Sequence, residues 1–362
     1  METETLTKPT AEVDAKKLNR QKRARTALRI FGHVFEKLLT RTVVTGLENI
    51  PTQGPVLFGP NHFSTYDALI LMIHLPKEAQ FVGPGDFKLL WPANVVVENL
   101  GLILTDRGSV DRHSLKQMED VLKNGGMLGL FPEGGTWEKG IHDVKSGAAY
   151  LSMVTGATIV PMSLGGTYWA WDNILRLRRP RITIHFGEPI PPIQTSGNRK
   201  TRQQELQQAS EDLMDRVYAK LPPEDQKLYD DVPRKRYRAE LEFMPDTFKP
   251  ENVPSLSGLT ELTCKPNLFY PLHRNAKLPL RPFVQRKGQF TPAREFQVGV
   301  LALQEAFNTI FKGYLEYRLG DEKAAIIRRD LEEFLPLIEQ AIKADVAIKF
   351  KPVEWMVDLE KS

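Results

Sequence analysis

Val56-Leu57-Phe58-Gly59-Pro60-Asn61-His62-Phe63-Ser64-Thr65-Tyr66-Asp67, running on through Ala68 to Leu75, is the stretch from which the fold can be read. Val56 to Gly59 is a short apolar run of strand length, and Tyr66 to Leu75 carries a helical pattern. Strand, loop and helix thus follow in immediate succession. The alternation recurs along the chain. Strands are predicted at Gln80 to Val82, Leu102 to Thr105, Met127 to Phe131, Thr158 to Leu164 and Ile182 to Phe186. Helical patterns lie at His113 to Lys123, closed by Gly125 and Gly126, and at Val144 to Val154. Upstream, the β-branched run Thr42 to Thr45 precedes a turn at Pro51 to Pro55. Strands alternating with helices predict an α/β fold, a sheet flanked by helices.

Outward from this core the organisation changes twice. Residues 1–37 form a basic segment in which Lys16, Lys17, Arg20, Lys22, Arg23, Arg25 and Arg29 have no acid between them. Leu18, Ala24, Leu28, Ile30, Phe31, Val34, Phe35 and Leu38 add apolar residues at helical spacing. Two readings are equally open: an interfacial helix drawn to anionic headgroups, or a solvated helix docked on the sheet domain. The sheet domain is expected over 38–221. Prolines 222, 223, 233, 245, 250 and 254 then mark 222–290 as a linker or extended segment. Residues 291–362 are expected to be a small, mainly helical region. One helix there opens at Thr291 and Pro292, with Phe296, Val300, Leu303, Phe307, Ile310 and Tyr314 on one face. A partner carries Ile327, Leu331, Leu335, Ile338 and Ile342, with a kink expected at Pro336.

Composition narrows the function classes. Of the 362 residues 41% are hydrophobic and 26% charged, as in ordinary globular proteins. Met1 to Val13 lacks the pattern of a secretory signal, and the apolar run Ala68 to Ile73 is far shorter than the roughly 20 residues of a spanning helix. A cytoplasmic protein is expected, with any membrane contact peripheral and on the inner face. The single cysteine, Cys264, excludes an intrachain disulfide and a cysteine-based zinc site. The net charge of +4 comes without aromatic and basic residues interleaved, so no nucleic-acid partner is expected.

The chemistry is concentrated at strand ends. His62 lies in the loop after Val56 to Gly59, and Asp67 in the first turn of the next helix. That spacing lets the carboxylate reach Nδ1 of the imidazole while Nε2 faces a substrate, a base with its orienter. The blander alternative is an aspartate that favours a helix start beside a loop histidine. Phe131-Pro132-Glu133-Gly134-Gly135 ends another strand, with a carboxylate beside glycines where backbone approaches a ligand. Gly101 to Gly108 ends a third, with Arg107. Ligands of open α/β sheets gather at the carboxyl ends of strands, so His62, Arg107 and Glu133 are expected in one cleft. Trp169 and Trp171 beside Arg176, Arg178, Arg179 and Arg181 read as interfacial anchors or as core packing with a solvated turn. His113 and His142 have no partner at ligand spacing, and no metal is expected.

In their order, these blocks resemble the glycerolipid acyltransferase family, which includes the 1-acyl-glycerol-3-phosphate acyltransferases. His62 to Asp67 is similar to its histidine, four residues, aspartate motif. Gly101 to Arg107 resembles its second block, Phe131 to Gly134 its third, and Val160-Pro161-Met162 its fourth. The resemblance covers about Leu38 to Ile190. It implies a glycerolipid-acyltransferase-like sheet and an enzyme whose donor is acyl-CoA or an acyl-carrier protein, whose acceptor is a lipid hydroxyl, and which needs no cofactor or metal. It implies His62 as general base oriented by Asp67, with Arg107, Glu133, Gly134 and Gly135 toward substrate and Val160 and Pro161 shaping the acyl pocket. Backbone N–H groups near the start of the helix after His62 are candidates for the oxyanion site.

One departure weighs on the acceptor. The family's third block commonly continues Thr-Arg-Ser, whereas here Gly135-Thr136-Trp137 follows, without the arginine fork that grips a phosphate. Lys139 or Lys145 replaces the charge but not the fork, and Lys145 is the second candidate anion contact; its alternative is an exposed lysine at a helix start. An acceptor without phosphate, an alcohol or glycolipid, is the near variant. A catalytically idle lipid-surface binding protein is the different-class alternative, and a base held in one tautomer argues against it.

Overall fold

β2 (Val56–Pro60) is buried along its whole length, as its unbroken apolar sequence predicts for a strand covered on both faces. The computed structural model describes residues 8–85, 99–105, 111–135, 143–265, 268–269, 272, 277–284 and 289–358, with 8–19, 284 and 317 as backbone only. β2 pairs in parallel with β5 (Met127–Gly129) on one side and β6 (Thr158–Gly165) on the other. With β1 (Arg41–Thr45), β3 (Gln80–Pro84), β4 (Ile103–Thr105) and β7 (Arg181–Phe186) they form a seven-stranded sheet of order β1-β7-β6-β2-β5-β3-β4. Neighbours run parallel except β6 and β7, which are antiparallel.

Alternate residues of the central strands feed two cores, one per face. Val56 and Phe58 pack with Val160 and Met162 of β6 and with Tyr66, Ile70 and Leu71 of α2 (Thr65–His74), and Phe35 and Leu39 of α1 (Lys8–Leu39) close over them. Leu57 and Ile159 point the other way. There they meet Leu122 of α3 (Arg112–Lys123), Leu151 of α4 (Gly147–Thr155) and Leu213 and Val217 of α6 (Arg199–Tyr218). The expected α/β sheet flanked by helices is the observed architecture.

α1 is docked on the sheet domain along one side. Arg25 donates from Nε to the Leu100 carbonyl at 2.8 Å and from Nη2 to Oε1 of Gln80 at 2.8 Å, and Arg29 donates to the Leu75 carbonyl. Gly32 lets the helix close on α2: a Cβ there would lie 2.5 Å from Ile73. This side is docked. On the other side Ile30, Phe31, Val34 and Leu38 are each more than half exposed. Among the described residues no helix is long and apolar enough to cross a membrane.

The chain divides into two compact units, residues up to 105 with 111–229 in one and 230–362 in the other. Within 222–290, expected to be extended, lie α7 (Pro223–Asp231), the ten-residue strand β8 (Lys235–Met244) and α8 (Ser257–Cys264). The second unit is therefore not only helical. β8 pairs antiparallel with β10 (Ala347–Met356), which also pairs with the short β9 (Thr291–Pro292). Charge hid β8 and β10, because their lysines and glutamates face one another: Lys349 and Lys351 donate to Glu242 and Glu240 across the ladder at 2.9 and 2.8 Å. Of the predicted helices, α9 (Ala293–Asn308) buries Phe296, Val300, Leu303 and Phe307, whereas Ile310 is exposed beyond its end. After α10 (Tyr314–Leu319), α11 (Asp321–Lys343) runs through Pro336 without a break.

Between β6 and α5 (Ala170–Leu175) the chain turns at Gly166, with φ +73° and a would-be Cβ 2.1 Å from the Arg181 carbonyl oxygen. Backbone cannot yield there as a side chain can. Gly166→Ala is expected to lower stability by roughly 2 kcal/mol or more. A denaturant midpoint unchanged from the parent would contradict this account of the turn.

Candidate active site

Ser64 is the N-cap of α2. Its Oγ accepts the Tyr66 N–H at 3.2 Å, and Oδ2 of Asp67 accepts the Ser64 N–H at 2.7 Å, a reciprocal capping box. That cap fixes the carboxylate. The same Oδ2 lies 3.0 Å from Nδ1 of His62. A carboxylate oxygen has only lone pairs to offer, so Nδ1 carries a proton and donates it. Asp67 is fully buried, and Oδ1 has no hydrogen-bond partner among the described residues. The His62 ring is stacked on Phe131 with centroids 3.6 Å apart and planes 10° from parallel. Carboxylate and aromatic face together hold the imidazole in one orientation.

The loop carrying His62 is held from two further sides. The Asn61 amide donates to the Leu164 carbonyl at 3.0 Å and accepts the Leu164 N–H at 2.7 Å, so it mimics a strand residue opposite β6. Ser64 Oγ donates to the Thr167 carbonyl at 2.9 Å. Glu133, expected to face a ligand, is instead buried: Oε1 accepts the His62 N–H at 2.6 Å and the Tyr229 hydroxyl at 2.9 Å. Burial and the adjacent Glu133 charge hold the Tyr229 hydroxyl well above the usual phenol range, so it stays a donor. In this arrangement the carboxylate supports the backbone of the His62 loop and is itself held by Tyr229.

Other expected residues fall as follows. His62 and Glu133 follow the parallel neighbours β2 and β5, and the bond between them brings these two strand ends together. Arg107 lies outside the described residues, as do Thr136, Trp137, Lys139 and His142. Gly134 turns the chain at φ +74° and its N–H meets the Phe131 carbonyl at 2.9 Å; Gly135 is buried. Lys145 is exposed just before α4. Val160 and Pro161 are buried on β6, opposite Phe58 and Gly59. Of the first-turn N–H groups considered for an oxyanion site, those of Ser64, Tyr66 and Asp67 are occupied within the cap. Trp171 donates from Nε1 to Thr65 Oγ1 at 2.9 Å and meets Tyr66 edge-on, tethered to the start of α2, whereas Trp169 is 62% exposed. His113 is bonded to Gln117 on α3.

Sequence reasoning missed Asn61, Tyr229 and Asp225. Asn61 was legible in principle, as a polar residue between an apolar strand and His62. Tyr229 and Asp225 sat in the stretch read as linker, and only tertiary packing brings Tyr229 against Phe63, with ring centroids 4.9 Å apart.

A family model described as Acyltransferase matches residues 41–165, the span that contains β1 to β6 and the His62 loop. The chain resembles acyltransferases over this segment, about a third of its length. It is similar to a 1-acyl-sn-glycerol-3-phosphate acyltransferase of Borreliella burgdorferi, 28% identical over 35% of this chain and 52% of that protein. It is also similar to one from Cocos nucifera, 29% identical over 44% of this chain and 55% of the relative. The chain thus spans about half the length of these curated relatives. The crystal structure of a 1-acyl-sn-glycerophosphate acyltransferase from Thermotoga maritima matches with a TM-score of 0.40 and 21% identity, over 55% of this chain and 82% of that one.

Asp225 adds a pH dependence beside the acyltransferase segment. Its Oδ2 accepts the Gly166 N–H at 2.7 Å, yet its carboxyl is pushed up to about 6, by burial above all and then by the charges of Glu224 and Asp67. Folding takes up a proton here between the ordinary carboxyl range and about pH 6, so stability from this group is complete at low pH and lost as pH rises through about 6. Asp225→Asn keeps an acceptor for Gly166 but cannot ionise. It is expected to match the parent near pH 4 and to exceed it by roughly 2–3 kcal/mol near pH 7. A parent-to-variant difference that stays flat across that range would refute the assignment.

Proposed function

We propose that this protein is an O-acyltransferase that moves an acyl chain from a thioester, acyl-CoA or acyl-carrier protein, to a hydroxyl of a lysophospholipid-like acceptor. The observation that carries the reading is the hydrogen bond from Nδ1 of His62 to the buried Asp67 carboxylate, 3.0 Å long, within the segment that matches the acyltransferase family model. It supports a base whose ring is oriented by the carboxylate. The activity named for the similar proteins from Borreliella burgdorferi and Cocos nucifera points the same way.

In this mechanism Nε2 of His62 takes the acceptor hydroxyl proton as the oxygen attacks the thioester carbonyl. The carbon–sulfur bond then breaks, and the imidazolium returns the proton to the departing thiolate, giving ester and thiol. Asp67 stabilises the imidazolium, with its idle Oδ1 leaving the buried negative charge incompletely satisfied until that cation forms. Arg107 is assigned to the acceptor's phosphate. Lys145 is the second anion contact, and Val160 and Pro161 back the acyl site. No cofactor or metal enters the step.

His62→Ala is expected to lower kcat/KM for thiol release by about a thousandfold or more, and Asp67→Asn by a similar factor, since amide replaces the tautomer-fixing acceptor. Run against lysophosphatidate, other lysophospholipids and phosphate-free alcohols, the assay also separates the two acceptor classes left by the missing arginine at 135–137. Parent-like turnover by His62→Ala on every acceptor would end this mechanism.

The acyl acceptor resides in membranes, and the surface supports a peripheral approach to an anionic, cytoplasmic leaflet. The bare stripe of Ile30, Phe31, Val34 and Leu38 is continued by the exposed Leu175 and Leu177, since Arg179 donates to the Lys37 carbonyl at 2.9 Å and Phe35 meets Trp171. Lys37, Arg176 and Arg178 ring this apolar patch with cations. Phe31→Ser with Val34→Ser and Leu38→Ser is expected to weaken binding to anionic vesicles at least tenfold without altering thermal stability. Added salt should weaken the parent. Vesicle binding indifferent to all three substitutions would remove the membrane assignment.

A further inference from the structure

Where α1 crosses the end of α2, away from the His62 loop, two histidines and a carboxylate converge. His33 and Glu36 are one turn apart on α1, and His74 is the last residue of α2. One donor atom from each lies within 4.8 Å of the other two. His74 Nε2 is 2.7 Å from Oε2 of Glu36, and the His33 and His74 rings stand edge to face with centroids 5.2 Å apart. Glu36 is buried, and its second oxygen, Oε1, has no hydrogen-bond partner among the described residues. A buried carboxylate oxygen left idle beside two imidazoles is a donor without an acceptor.

We propose that His33, Glu36 and His74 form a divalent transition-metal site, best suited to zinc. Two imidazoles and one carboxylate are the donor set that zinc takes, and they disfavour magnesium and calcium, which seek oxygen alone. A tetrahedral zinc about 2.1 Å from each ligand holds its donors about 3.4 Å apart, so the widest separation, up to 4.8 Å, closes by as much as about 1.4 Å while the 2.7 Å pair of His74 and Glu36 opens. His33 is exposed and its ring is free to make that movement, and the same exposure is the ion's way in and leaves room for a water as fourth ligand. Binding replaces the hydrogen bond between His74 and Glu36, and the neutral imidazole of His74 then carries its one proton on Nδ1. The helices are already held in register by Gly32 against Ile73 and by Arg29 on the Leu75 carbonyl. His74 stands seven residues beyond Asp67, about 10 Å along α2, so the ion acts as a strap on the helix and takes no part in acyl transfer.

The test is zinc titration of tag-free, chelator-treated full-length protein, with cobalt(II) as a spectroscopic substitute. One zinc per chain is expected, with a rise in thermal midpoint and the visible absorption of a nitrogen- and oxygen-ligated cobalt. His33→Ala, an exposed change that leaves the helix contact intact, should weaken that binding at least tenfold and abolish the thermal shift, as should Glu36→Gln. No saturable binding by the parent, or binding that His33→Ala weakens less than tenfold, overturns the proposal.

Discussion

A single carboxylate oxygen, Oδ2 of Asp67, accepts one hydrogen bond from the backbone of Ser64 and one from the ring of His62. The first is what starts α2; the second is what orients the imidazole. Because the same atom serves both, the position of the ring is tied to the N-terminus of a helix whose Tyr66, Ile70 and Leu71 are locked into the sheet core. Helix start, core packing and base orientation are therefore one mechanical problem. A loop histidine without this coupling would lose one of the two contacts that hold its ring.

Around this atom the protein spends buried polar groups on backbone. Asn61 stands in for a strand residue against Leu164, Ser64 reaches the Thr167 carbonyl, and Glu133 takes the His62 N–H while Tyr229 satisfies the same oxygen. Each contact is a short bond across a long sequence separation, which fits a loop that must keep one shape at the rim of a sheet. The cost is a set of charges in a poor solvent, seen in the raised Asp225 carboxyl and Tyr229 hydroxyl.

α1 shows how one amphipathic pattern answers to two surroundings. Its sequence left open an interfacial and a docked helix; one face is docked, and the other leaves apolar side chains exposed. Arg25 and Arg29, expected among the cations facing a lipid surface, are drawn inward because the carbonyls of Leu75 and Leu100 need donors. The apolar residues left outside are those that a count of hydrophobic spacing would assign to a core. Periodicity reports that a helix has two faces, but not which face the fold covers.

The amino-acid sequence by itself determined the order of strands and helices from Val56 to Leu164, the strand-end placement of His62 and Glu133, and the pairing of His62 with Asp67, because these are written in local periodicity and short spacing; it did not mark the short helix α5. It also carried the resemblance in four ordered blocks. Only the tertiary structure decided that Glu133 supports the His62 loop, that Tyr229 completes that support from a stretch dense in prolines, and that β8 and β10 exist at all. It alone joined His33 and Glu36 to His74. The division has a physical cause: local sequence sets backbone propensity and the face a residue occupies, whereas the partner of a buried charge is chosen by which distant segment arrives within hydrogen-bond reach.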